Sequence, residues 1–171
     1  MSGTVDYGLI TDQVNDGVYS TGDIPSRTDR VFRDIRICFE SRMSGLSTDL
    51  PNIVYENTDV DTADFDKGEA GIAWIRGTLL PAETTEATLG SGGTDLHRGI
   101  FRIDYFNESG VGGFETDMDI IANAFVRGDT LTAGTTEVRI KNVSLGVGRR
   151  DGAFFVRSID VNYFAYTAAR S

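Results

Sequence analysis

The sequence predicts an α+β fold: a single, mainly antiparallel β-sheet packed against two amphipathic α-helices, with a long C-terminal β-hairpin. Three observations point there. Two segments repeat apolar residues at helical spacing, and others alternate them at the period of a strand. The stretch 136–167 reads as two strands around a turn.

Residues 1–25 are rich in Gly, Asp, Thr and Ser and hold neither period, so they read as an N-terminal arm before one domain at 26–171. Ser26 is a candidate helix cap, with Asp29 three residues on. From Arg27 to about Met43 the apolar stripe is Val31, Phe32, Ile35, Cys38, Phe39 and Met43. Arg30, Arg33, Asp34, Arg36, Glu40 and Arg42 lie opposite, including the i,i+4 pairs Arg30–Asp34 and Arg36–Glu40. Gly45 ends the helix. A short strand is expected at 53–57, followed by an acidic loop at 58–71.

The run IAWIRGTLL at 72–80 is apolar on both faces and reads as a central strand. A long loop then leads through GSGG to GIFRIDYFN at 99–107. There Phe101, Ile103 and Tyr105 alternate with Arg102 and Asp104. A second helix follows at 114–126, with Phe114, Met118, Ile121 and Phe125 on one face. Glu115, Asp117 and Asp119 suit the positive end of its dipole, and Gly128 stops it. In the final hairpin VGRRDGA is the turn, while Phe155, Ile159, Val161, Tyr163 and Ala165 share a face. Strands 72–80 and 153–166 carry apolar residues on both faces, which points to a partner on the open side of the sheet.

At 171 residues the chain suits one core. Its formal net charge of -10 excludes binding nucleic acid by neutralising phosphates, which needs clustered cations. No apolar run approaches the roughly 18 residues of a membrane helix, and the first residues lack the pattern of a signal peptide. Cys38 is the only cysteine, so a disulfide framework and a cysteine zinc site are excluded; an intracellular origin fits.

The search for chemistry finds little. GSGGTDLHRG lacks the lysine of a phosphate-binding loop and leads into a strand rather than a helix. GVGGFE at 110–115 reads as a helix-start turn. Asp59, Asp61, Asp64 and Asp66 have calcium-like spacing, but Asp64 and Ala70 stand where an EF-hand counted from Asp59 needs Gly and Glu. His97, the only histidine, reads as a polar loop or interface residue beside Ser91 and Asp95, not as part of a triad. Cys38 lies on an apolar stripe and reads as an inert buried thiol. The tripeptide at 127–129 is coincidental with the helix stop. No catalytic site, metal or cofactor is expected.

The stretch AWIRGTLLPAETTEATLGSGGTDLHRGIFRIDYF resembles a family of small tailed-bacteriophage proteins, the tail terminator or tail completion proteins. The carrying phrases are Thr78–Ala82, Ala87–Gly93 and His97–Phe101. YEN at 55–57, FVRGDTL at 125–131 and DGAFFVRSIDVNYFAY at 151–166 are similar too. Residues 1–25 and the long charged loop at 58–70 depart from the family pattern.

The resemblance implies a structural virion protein: a homo-oligomeric ring, hexameric, at the head–tail junction and assembled in the host cytoplasm. Its implied partners are its own copies, the tail tube protein and the head-completion or neck protein, with phage DNA passing through the lumen and no membrane. Leu89, Gly90, Ser91, Gly92, Gly93, His97 and Arg98 would then form an interaction loop. Arg33, Arg36, Arg149 and Arg150 are candidate contacts to acidic neighbours. Two alternatives stay open: another neck component, or a monomeric ligand-binding or hydrolytic domain using the glycine loop and His97.

Overall fold

A computed structural model describes residues 30–47, 49–50, 52–56, 58–65, 67–68, 71–88, 93–108 and 114–168. The element order is α1 (Val31–Ser44), β1 (Ile53–Val54), β2 (Lys67–Gly68), β3 (Gly71–Pro81), β4 (Thr85–Thr88), β5 (Thr94–Asn107), α2 (Phe114–Asn123), β6 (Thr130–Ala133), β7 (Thr136–Leu145), β8 (Arg149–Asp151) and β9 (Phe154–Ala168). The arm at 1–25 and the cap at Ser26 lie outside the described residues.

The expected fold class needs correction. Strand takes 52% and helix 22% of the structure, and the sheet is a curled eight-strand half-barrel rather than a single antiparallel layer laid on two helices. Its main path runs β1-β3-β5-β9-β7-β6, with β4 on β5, β8 on β9 and β2 as a short ribbon on β3. One pair is parallel: β1 joins β3 through Ile53↔Ile75. Twist explains the curl. Strands of 14 and 15 residues, β5 and β9, pair over their whole shared length from Thr94↔Ala168 to Asn107↔Phe155, and right-handed twist accumulates along such a ladder. Segments read as loop also join the sheet. β4 uses the Thr-rich TEAT, and β6 returns against β7 through a turn at Gly134 (φ 59°).

The main core fills the concave side. Val31, Ile35, Cys38, Phe39 and Met43 are buried, so the stripe of α1 is as expected except for Phe32, which is 38% exposed. They meet Ile75, Phe101, Ile103, Tyr105, Val138, Ile140, Ile159, Val161 and Tyr163 from the strands, with Met118, Ile121 and Phe125 from α2 and the turn after it. Phe39 stacks on Phe101 with ring centroids 4.5 Å apart and meets Tyr163 edge-on at 5.2 Å. The close approach of α1 depends on Gly77: a Cβ there would collide with the Phe101 ring and the Met43 sulfur. Arg42, on the side of the helix opposite the stripe, ties α1 to the end of α2. Its guanidinium donates to the Ala124 carbonyl at 3.2 Å and lies 3.8 Å from Asp129. Of the two expected i,i+4 pairs, Arg36–Glu40 stands at 3.5 Å.

A second, smaller cluster sits on the convex face. Trp74 and Phe106 stack with centroids 3.7 Å apart, joined by Val54, Ile72 and Val156 and flanked by Phe65 and Phe154. The Arg76 guanidinium lies over both stacked rings, at 5.9 and 5.4 Å. This is where the apolar residues on the second face of β3 and β9 go: at this end of the sheet the chain covers them itself.

Candidate functional site

Most of the glycine-rich interaction loop lies outside the described residues: Leu89, Gly90, Ser91 and Gly92. Gly93 is buried, and His97 and Arg98 belong to β5, which begins five residues earlier than the alternation alone indicated. The pleat sends these two to opposite faces. His97 points into the concave side and is 4% exposed. The Thr84 hydroxyl lies 3.0 Å from its Nδ1 and the Thr167 hydroxyl 2.7 Å from its Nε2, while Phe32 packs edge-on at 5.5 Å. Both ring nitrogens are thus held by threonines from the segment before β4 and from β9. That makes His97 a brace between the loop and the last strand.

Arg98 is exposed on the convex face. Across β5, β9 and β7 the register sets Arg98 opposite Phe164, and Phe164 opposite Arg139. Lys141 joins them because the β7 ladder is irregular between Ile140 and Asn142, the extra residue of a bulge. Leu96, Arg98, Lys141, Phe164 and Tyr166 line a shallow cavity of about 230 Å³. Tyr166 is 52% exposed and meets Phe164 edge-on at 5.8 Å. Among the described residues none of Arg98, Arg139 and Lys141 forms an ion pair. Glu137, two residues from Arg139, is the acid on that face of β7.

The other arginine candidates do not converge on this patch. Arg33 and Arg36 ride on α1, on the concave side, and Arg36 is engaged with Glu40. Arg149 and Arg150 are exposed on β8 rather than in a turn, which falls later at Gly152 (φ 59°). Arg149 pairs with Val156 and Arg150 with Phe155, so the pleat turns them to opposite faces. Sequence reasoning missed Arg139, Lys141, Phe164 and Tyr166. The only signal was alternation in VRIK and YFAY; their meeting with Arg98 depends on a register that spans 41 to 68 residues.

A polar band divides this patch from the aromatic cluster. Arg102 donates to both oxygens of Asp160 at 2.8 and 3.0 Å, and Ser158 donates to buried Asp104. Polar groups also lie on the concave side. Tyr105 donates to Asp117, bringing α2 onto β5. Burial pushes the Tyr163 hydroxyl up to about 12 and, with Asp34 nearby, the Cys38 thiol up to about 11. A thiol so buried and so weakly acidic is a poor nucleophile.

Long strands, a helix-filled concavity and a basic, aromatic patch on the opposite face are what the described residues present. The family of the chain follows from comparison. A profile of the phage tail terminator proteins matches residues 34–163, and the chain belongs to that family. It is therefore a structural component of a phage tail. No curated protein sequence matches it. One solved structure, of a protein carrying no descriptive name, superposes with a TM-score of 0.59 at 21% identity. The match covers 80% of this chain and 96% of the other, a likeness of fold alone.

Proposed function

We propose that this protein forms a ring, of six copies, that caps the tail tube, ends its polymerisation and joins it to the head-completion protein at the neck. The observation that supports this reading is the family match across residues 34–163. The acidity fits it: a lumen that passes the genome must not grip phosphate, and a net charge of -10 per subunit repels it. In this reading the chain has no catalytic role, and the buried, doubly held His97 accords with that.

Like-charged subunits repel, so assembly strengthens as salt or magnesium rises. Native mass spectrometry at low and moderate salt, with and without magnesium, reads this directly. The expected result is a hexamer of 18.6 kDa subunits whose population rises with ionic strength. A monomer in every condition, with purified tail tubes present as well, would sink the ring.

A further inference from the structure

The subunits of such a ring need an attractive contact strong enough to offset their shared negative charge. Resting on the ring reading, we infer that the basic, aromatic patch of Arg98, Arg139, Lys141, Phe164 and Tyr166 docks the acidic segment Asp59–Val60–Asp61 of a second copy of this chain.

The two surfaces match in chemistry. The patch offers three cations with no ion pair among the described residues, set around two rings and a shallow cavity. The segment offers two exposed carboxylates on either side of Val60, itself 37% exposed. An apolar side chain entering between the rings would bring both carboxylates against the cations, where charge-assisted contacts form.

The segment is also held ready. On one side the Thr58 N–H bonds the Tyr55 carbonyl at 3.3 Å. On the other, Asp61 accepts from the Ala63 N–H at 2.9 Å to start a short 3-10 turn, and Phe65 then packs 5.9 Å from Trp74. A segment ordered before binding loses little conformational entropy on docking.

The two surfaces cannot meet within one chain. Phe65 and Trp74 fix the segment beside Phe106, while the patch surrounds Arg98 on the same strand. Eight residues of β5 separate them, about 26 Å at the rise of a strand. A contact between different patches of identical subunits is head-to-tail, the kind that propagates into a ring when its rotation closes. The anchor of the segment at Phe65 and the patch thus lie at opposite ends of one face.

Charge reversal tests this, with oligomer populations read by native mass spectrometry and folding checked by chemical denaturation. Arg98→Glu/Lys141→Glu on the patch, or Asp59→Lys on the segment, should each weaken association about tenfold or more. Asp59→Lys leaves the Asp61 cap in place. Carrying all three substitutions together should recover part of the loss.

A geometric readout guards against misfolded variants. In Val60→Cys/Tyr166→Cys, oxidation should give a ladder of covalent oligomers ending at the ring, while a mixture of the two single variants should stop at dimers. Cys38 is buried and stays out of the reaction. A wild-type ring that survives both reversals and yields no ladder overturns this contact and leaves the ring reading standing. A wild-type chain that stays monomeric even on tail tubes overturns both.

Discussion

The two faces of the sheet are built from the same alternating strands, yet they end differently. On the concave face the strands along the path from β3 to β6 give side chains to one continuous core, closed by α1 and α2. On the convex face the apolar residues gather at one end around Trp74. A polar band around Arg102–Asp160 and Asp104–Ser158 follows, and the far end exposes cations and aromatic rings. The concave face thus holds the larger core, and the far end of the convex face retains exposed side chains that make no ion pair among the described residues. Exposed side chains of that kind are where partners are sought.

The sharpest way to break the concave face is Phe39→Ala. Phe39 is fully buried between Phe101, Phe125 and Tyr163, so its loss should cost about 3–5 kcal/mol by chemical denaturation. Trp74→Ala strikes the convex cluster, which is smaller and peripheral, and should cost about 3 kcal/mol, the lower end of that range. It should also speed proteolysis within 58–68, because Phe65 loses its platform while the concave core stays closed. Equal losses in the two variants, with no local change in proteolysis, would mean that the faces do not differ as described.

The smallest expected effect belongs to Tyr163. Its hydroxyl is buried with no hydrogen-bond partner among the described residues, so Tyr163→Phe should leave stability at neutral pH unchanged or raise it by about 1 kcal/mol. Alkaline pH separates the two proteins. Burial raises the folded-state value of Tyr163 to about 12, above the 10.0 of an unburied tyrosine, so its contribution is complete below about pH 10. The contribution is lost as pH climbs through about 12, since the unfolded chain ionises first. Urea midpoints between pH 9 and 12 should fall less steeply for Tyr163→Phe than for the wild type.

What was legible in the sequence was periodic. The stripe of α1 and the alternation of Phe101, Ile103 and Tyr105 suffice to assign those side chains to the core, because a helix or strand sorts its faces by local geometry alone. The lone cysteine was likewise readable as inert from its place on that stripe.

The rest was decided by contacts between distant residues. TEAT became a strand because β5 extended beyond the alternation and offered it an edge, and the flat two-layer arrangement gave way to a half-barrel as twist accumulated along β5 and β9. His97 became a buried brace when Thr84 and Thr167 closed on it from either side. Arg98 met Arg139 and Phe164 only through the pairing of three strands. The sequence by itself determined which side of each element is apolar, because that depends on spacing within a few residues. Only the tertiary structure decided how far the sheet bends and which charges stand together, because register and curvature are set by strands that meet across the chain.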